Sequence, residues 1–397
     1  MNKPIVVQIT SRCGYGSIGK ICQAISELLS NKGIENYILY SGDSNGYKNG
    51  IKYCTPTSVR FSALKSRLFG NYGFNSTKDT KRLVAKLDEI KPDIVQLHNL
   101  HSHNCNLTIL FDYLRKKNIK IFYTFHDCWT FTGYCPYFDM VNCKKWETEC
   151  HNCVAWKKYS WFFDRSNSNF KKKKDAFKDL NLTIITPSQW LADLTKKSFL
   201  GNYPVKVINN GIDLTVFTPQ HSDFRIKHHC ENKKMLLGVA MGWERRKGLE
   251  TFIELSKDLP SSSFQIVLVG TTNQIDKLLP SNIISIHKTK DQHELAQIYS
   301  AADVLVNPTM EENFPTTNIE SIACGTPVIT YNSGGSGEML NSDCGIVIPR
   351  GDYNKLYEAV KSQIVNPLPK GELCRKQALH YKSENLFNNY YLEYLTI

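Results

Sequence analysis

The chain has 397 residues, is 41% hydrophobic and 22% charged, and carries a formal net charge of +12. That length fits two domains better than one. The composition is that of an ordinary soluble globular protein, and no apolar run reaches the length of a membrane-spanning helix. Thirteen cysteines in such a chain argue against a secreted disulfide scaffold. The first residues run straight into a strand, so no signal peptide and a cytoplasmic location are expected. The charge is unevenly spread. Residues 1–205 hold 30 Lys and Arg against 16 Asp and Glu, whereas residues 206–397 hold 19 against 21. The basic first half points to an anionic partner there: membrane surface, phosphorylated acceptor or nucleic acid.

In chain order, an apolar run at residues 4–9 predicts a first strand. A glycine-rich turn at 13–19 and an amphipathic helix at 20–29 follow, and the helix stops at Gly33. Strand patterns recur near 37–40, 92–99, 119–126 and 182–188, with a helix at 80–90. Residues 41–80, rich in Gly, Asn and Tyr, give no clear element. The rhythm restarts at 234–240 and continues at 264–270, 283–286, 304–306 and 328–330. Strands alternating with helices predict two parallel, doubly wound α/β sheets.

Two loops of the second half carry chemistry. After the strand at 234–240 come Arg245, Arg246 and Lys247, three consecutive cations before a helix starting near Leu249. Such a loop suits a diphosphate, because Arg offers forked donors and Lys a point charge. After the strand at 304–306 come Glu312 and, eight residues on, Glu320, then Cys324-Gly325-Thr326-Pro327. The carboxyl edge of an open α/β sheet is where ligands bind, a helix N-terminus offers N–H groups to an anion, and carboxylates accept from sugar hydroxyls. The pair suits a ligand with both phosphate and polyol.

The segment from Glu312 to Glu320, with its flanking strands, resembles the E-x7-E region of retaining glycosyltransferases of family four. Asn210-Gly211-Ile212-Asp213, followed by Phe217 and Pro219, is similar to that family's interdomain segment. The resemblance implies the GT-B fold: two Rossmann-like domains facing across a cleft, at residues 1–205 (with an insertion at 128–180) and 206–380. A terminal helix at 381–397 would cross back to the first domain. It also implies roles. Glu312 would contact the donor sugar, Glu320 the ribose, and Lys247 with Arg245 or Arg246 the diphosphate. Asn313, Phe314, Thr316 and Thr317 would line the donor pocket. His126 would touch the donor sugar, with Asp127 as acceptor-side base or orienter, and Gly16 and Gly19 would lie near the donor phosphate.

Two departures stand out. Trp243 occupies the position where the family commonly has Arg, and Pro315, which has no N–H, follows Phe314 where many members have Gly. The glycine-rich loop also fits G-x-G-x-x-G, but without a convincing acidic partner on the second strand the glycosyltransferase reading is preferred to NAD binding. His98, His101 and His103 are read as cleft lining rather than metal ligands.

The expected reaction moves a hexosyl group, with retention, from a UDP- or GDP-sugar to a hydroxyl of a lipid-linked saccharide in capsule, O-antigen or exopolysaccharide assembly. No catalytic metal is expected, since Lys247 and a neighbouring Arg would take its place. The alternatives are a nucleotide-sugar epimerase or hydrolase of the same fold, and a basic nucleic-acid-binding protein.

Two features of the first half stand outside this frame. Cys135, Cys143, Cys150 and Cys153 place four thiols within nineteen residues. Structural zinc is the favoured reading, with free thiols and redox chemistry as alternatives. Trp, Tyr and Phe interleaved with Lys over residues 156–178, and a basic stretch at 59–69, suit an anionic inner-membrane surface. Single-stranded nucleic acid and an ordinary packed helix are the other readings.

Overall fold

The structure is a computed structural model and describes residues 3–101 and 103–396. The chain divides into two compact units, residues 1–209 with 387–397, and residues 210–386.

The first unit is built on seven strands: β1 (Val6–Thr10), β2 (Asn36–Tyr40), β3 (Gly50–Lys52), β4 (Ile94–Leu97), β5 (Lys120–Thr124), β6 (Leu182–Thr186) and β7 (Val205–Val207). Their order is β3-β2-β1-β4-β5-β6-β7, every pairing parallel. β1, β4 and β6 are buried along their whole length, as strands covered on both faces must be. The strand order reverses between β1 and β4, which makes the carboxyl ends of these two strands the ligand-binding crevice of such a sheet.

Residues 41–80, featureless in sequence, form β3 and the helix Pro56–Phe69 and begin the helix Thr77–Ile90. The periodicity is hidden because Ser62 and Ser66 are the buried residues of the first helix, while Phe61, Leu64 and Phe69 are exposed. The segment 128–180 contains four single 3-10 turns and one helix, Ser166–Ala176. Side-chain burial holds it: Trp129, Phe131, Trp146 and Phe170 join the main core. Lys173, fully buried, lies 3.5 Å above the Trp129 ring and donates to the carbonyls of Trp129 and Thr132 at 2.5 and 2.9 Å. Burial pushes its ammonium well below the usual lysine range.

The last helix, Ser383–Tyr394, gives Phe387, Tyr390 and Tyr394 to a core cluster with Val6, Ile94, Phe122 and Ile185. Its buried hydroxyls are paired: Tyr394 donates to Gln96 Oε1 at 3.0 Å, and Tyr390 lies 3.2 Å from Thr124 Oγ1.

The second unit has six parallel strands: β8 (Lys234–Val239), β9 (Phe264–Val269), β10 (Ile283–Ile286), β11 (Val304–Asn307), β12 (Val328–Tyr331) and β13 (Gly345–Ile348), ordered β10-β9-β8-β11-β12-β13. Here the order reverses between β8 and β11. The sequence reading did not give β3, β7 and β13, edge strands of three, three and four residues. Gly211 lies where the Ile212 amide donates to the Tyr381 carbonyl and the Ile212 carbonyl accepts from the Ser383 amide, and a Cβ there would sit 2.4 Å from Ser383 Cα.

Candidate active site

The loops leaving β8 and β11, adjacent strands at the reversal point of the second sheet, carry Lys247 and Glu312. Residues 245–247 form one 3-10 turn, and Gly248 then takes the left-handed conformation (φ +78°) and opens the helix Leu249–Asp258. Any Cβ at Gly248 would lie 2.5 Å from the Pro308 carbonyl oxygen. A side chain there would therefore push the two loops apart. The loops are also laced by backbone: the Arg246 carbonyl accepts from the Met310 amide at 2.7 Å and from Thr309 Oγ1 at 3.1 Å.

On this scaffold Lys247 Nζ donates to Glu312 Oε2, both side chains largely buried. Glu312 Oε1 also accepts from the Asn313 amide at 3.1 Å. Asn313 and Phe314 are buried, and the Asn313 carbonyl accepts from the Gly335 amide at 2.9 Å. The helix Thr316–Ala323 begins directly after Pro315, with no side chain capping it. In the first turn the Asn318 amide donates to the Pro315 carbonyl at 3.3 Å, while the Thr316 and Thr317 amides precede the first intrahelical acceptor and so suit an anion.

Glu320, one turn further along, accepts from the Tyr299 hydroxyl at 3.0 Å. Tyr299 is fully buried on the helix Gln292–Ala301. Burial, with the Glu320 carboxylate as the second cause, drives its phenol well above the usual range, so it remains a donor.

The neighbouring arginines are distinguished by direction. Arg246 reaches the Glu311 carbonyl at 3.5 Å and pairs with Glu244 at 3.4 Å. Arg245 is three-quarters exposed and pairs with Glu250 on the following helix at 3.6 Å. Trp243, at the family's usual arginine position, is a core residue: it is buried edge-on against Phe252 and donates to the Val269 carbonyl at 3.1 Å.

A second set of polar groups lies in the first unit, on the loops leaving β1, β4 and β5. Gly16 starts the helix Gly16–Asn31 at φ +69°, and Gly19 is buried against the Arg12 carbonyl. His126 Nε2 lies 3.1 Å from His98 Nδ1, the two rings stacked. Burial lowers His126 to about 4 and His98 well below the usual histidine range, which leaves both neutral near pH 7.

Asp127 is committed on both oxygens, to His101 Nε2 at 2.9 Å and to the Trp129 amide at 2.9 Å. Burial alone would raise its pKa. The His101 ring and the Trp129 amide outweigh that and hold it below the usual carboxylate range. Asp127 is thus a carboxylate held in place by two donors. The sequence reading missed Tyr299 and the specific partnership of His101 with Asp127. Tyr299 has no motif to mark it, and His101 was visible only as one of three histidines after β4.

The four cysteines of the insertion are free thiols, and each raises or is raised by the other three electrostatically, so they form one neighbourhood. Burial pushes Cys135 up to about 12 and Cys150 to about 11. Cys150 Sγ accepts from the Gly133 amide at 3.3 Å. The donor set has the chemistry of a zinc site, but its geometry does not fit one: among the described residues no group of three or more His, Cys, Asp or Glu side chains is arranged to hold a metal ion. Also among the described residues, no helix is long and apolar enough to cross a membrane.

Comparison with known proteins defines the class. Residues 18–216 match the model of Glycosyltransferase Family 4 and residues 221–380 that of Glycosyl transferases group 1. The chain belongs to glycosyltransferase family 4 and has the two Rossmann-like domains of the GT-B fold. It is 22% identical to the putative colanic acid biosynthesis glycosyl transferase WcaC of Escherichia coli K12, over 97% of this chain and 98% of that one. Among solved structures it is similar to sucrose-phosphate synthase from Thermosynechococcus elongatus (TM-score 0.73, 16% identity, 99% of each chain). It is also similar to Anabaena HepE in complex with UDP-glucose (TM-score 0.71, 12% identity, 99% of this chain and 100% of that one).

Proposed function

We propose that this glycosyltransferase moves a hexosyl group, with retention, from a UDP- or GDP-sugar to a hydroxyl of a lipid-linked saccharide during surface polysaccharide assembly. The observation that carries the donor reading is the joining of Lys247 to Glu312 by loops from β8 and β11, beside the helix N-terminus at Thr316. A cation, a carboxylate and free amides at a strand-order reversal are the parts that a sugar diphosphate needs. HepE, similar in fold, binds UDP-glucose, and WcaC carries the name of a colanic acid biosynthesis enzyme; both agree with a sugar nucleotide and a polysaccharide.

In this reading Lys247 and Arg246 neutralise the leaving diphosphate as an oxocarbenium-like sugar forms, and the Thr316 and Thr317 amides bind its oxygens. Glu312 holds the donor sugar and Glu320 the ribose. In the first unit His126 stays neutral, and Asp127 fixes the tautomer and orientation of His101. The departing phosphate takes the acceptor proton on the same face, so no nucleophile of the enzyme is needed.

Thermal stabilisation by a panel of UDP-, GDP-, CMP- and ADP-sugars tests the donor. A shift with one nucleotide family names the base; no shift with any of them overturns the reading. Product anomeric configuration, followed by NMR, tests retention.

A further inference from the structure

The helix Pro56–Phe69 is amphipathic in the wrong sense for a helix that only has to pack. Its buried residues are Ser62 and Ser66, while Phe61, Leu64 and Phe69 are 59%, 44% and 53% exposed. A surface helix of a globular domain ordinarily buries its apolar stripe. Phe61 and Leu64, three residues apart, share one outward face.

A second exposed apolar run, Trp161, Phe162 and Phe163 (54%, 62% and 48% exposed), lies in the insertion. The two are fastened together. The Trp161 amide donates to the Arg67 carbonyl at 2.7 Å, Ser160 Oγ donates to the same carbonyl at 3.4 Å, and the Arg67 guanidinium donates to the Lys158 carbonyl. Six large apolar side chains thus stand on joined segments of one unit, an apolar patch of the kind that marks an interaction site.

The surrounding charge selects the partner. Residues 56–69 and 156–165 carry Arg60, Lys65, Arg67, Lys157, Lys158 and Arg165 against a single carboxylate, Asp164. Asp164 is engaged by the Cys153 and Ser166 amides. Lys65 lies over the Phe61 ring and Arg165 over the Phe163 ring, 4.7 and 5.4 Å from the centroids. Cations flanking an exposed Trp and Phe cluster reproduce the order of an anionic bilayer surface, in which rings enter the headgroup boundary and cations stay among the phosphates. A protein groove would instead call for complementary carboxylates and fixed side chains.

We propose that the helix Pro56–Phe69 and the segment 156–165 together form a docking surface for an anionic phospholipid bilayer. It orients the first unit on the membrane and uses none of the residues assigned to the donor. The inference does not depend on the donor reading, because its test scores binding and not transfer.

Full-length protein is sedimented with vesicles of phosphatidylcholine containing phosphatidylglycerol, and with vesicles of phosphatidylcholine alone. Partition onto the anionic vesicles only, weakened by salt, is expected. The variant Phe61→Ser/Phe162→Ser/Phe163→Ser is expected to lose about ten-fold or more of this partition, and Arg60→Glu/Lys157→Glu/Lys158→Glu a similar amount. Because these residues are exposed, the variants keep the parent's melting temperature and nucleotide-sugar stabilisation. Quenching of Trp fluorescence by bromine-labelled lipid chains, reduced in Trp161→Phe, reports insertion without relying on the multiple variants. Unaltered vesicle binding by both triple variants, equal binding to neutral vesicles, or binding to RNA but not to vesicles would each overturn the proposal.

Discussion

Lys247 and Glu312, 65 residues apart in sequence, are joined by a direct ion pair between the loops that leave two neighbouring strands. Each is the partner that the other would exchange for a ligand: the ammonium for a phosphate, the carboxylate for a sugar hydroxyl. The pair keeps both side chains extended towards one point before any donor arrives, so part of the ordering cost of binding is met in advance. Removing either member is expected to lower transfer by about a hundred-fold or more, with the fold retained. Glu312→Gln and Lys247→Ala, assayed for transfer and checked by thermal melting, test this. Full activity in either variant would remove these residues from the site.

Tyr299 gives a subtler test, because it touches Glu320 and lies off every motif. Tyr299→Phe removes only the hydroxyl that donates to the carboxylate. A lost buried hydrogen bond costs about 1 kcal/mol of stability, and a Glu320 deprived of this donor would bind ribose more weakly. Nucleotide affinity, measured by calorimetry, should fall several-fold while the turnover number at saturating donor changes little. A large fall in turnover with unchanged affinity would assign Glu320 a different role.

The parallel α/β fold was legible because buried strands read as short, mostly apolar runs between helices, as in β1, β6 and β9. The loops of Lys247 and Glu312 stood out in sequence as charged segments after strands, and the structure joins them because β8 and β11 are neighbours. What escaped notice depends on partners distant in sequence. The helix Pro56–Phe69 hides its serines and exposes its rings, which reverses the pattern that identifies a helix. Trp243 could be seen to replace an arginine, but its place in the core is decided by Phe252 and the Val269 carbonyl. That Arg246 rather than Arg245 meets the 309–311 loop likewise rests on backbone contacts that no local reading supplies.

The four thiols of the insertion lie together without the arrangement that holds a metal ion, so they are expected to behave as ordinary buried cysteines. Burial keeps Cys135 and Cys150 protonated near pH 7, whereas metal ligation needs thiolates. Protein purified without chelator is expected to carry no stoichiometric zinc and to gain no thermal stability when zinc is added. About one zinc per chain, lost together with a drop in melting temperature in Cys150→Ser/Cys153→Ser, would instead establish a structural metal site.

Stability should depend on pH through the histidines after β4 and β5. His126 and His103 are lowered to about 4 and His98 well below the usual histidine range, all mainly by burial. An unfolded histidine takes up its proton near 6.5. Between that value and about 4 the unfolded chain therefore binds more protons than the native one, and acidification favours unfolding. The contribution is complete above pH 7, falls as pH drops through 6, and levels off once the native rings themselves protonate. For His126 alone this amounts to as much as about 3 kcal/mol at about 1.4 kcal/mol per unit. Asp127 acts in a separate, lower window: its lowered pKa stabilises the fold above about 4 and is lost below it. Urea unfolding at pH 7.5, 6.0 and 5.0 (about these values bracket the window) should give steadily smaller unfolding free energies. His98→Asn, which removes one of the buried rings, should flatten the slope even where it lowers stability at neutral pH. A slope unchanged in this variant would mean that His98 is protonated, or exposed, in the native protein.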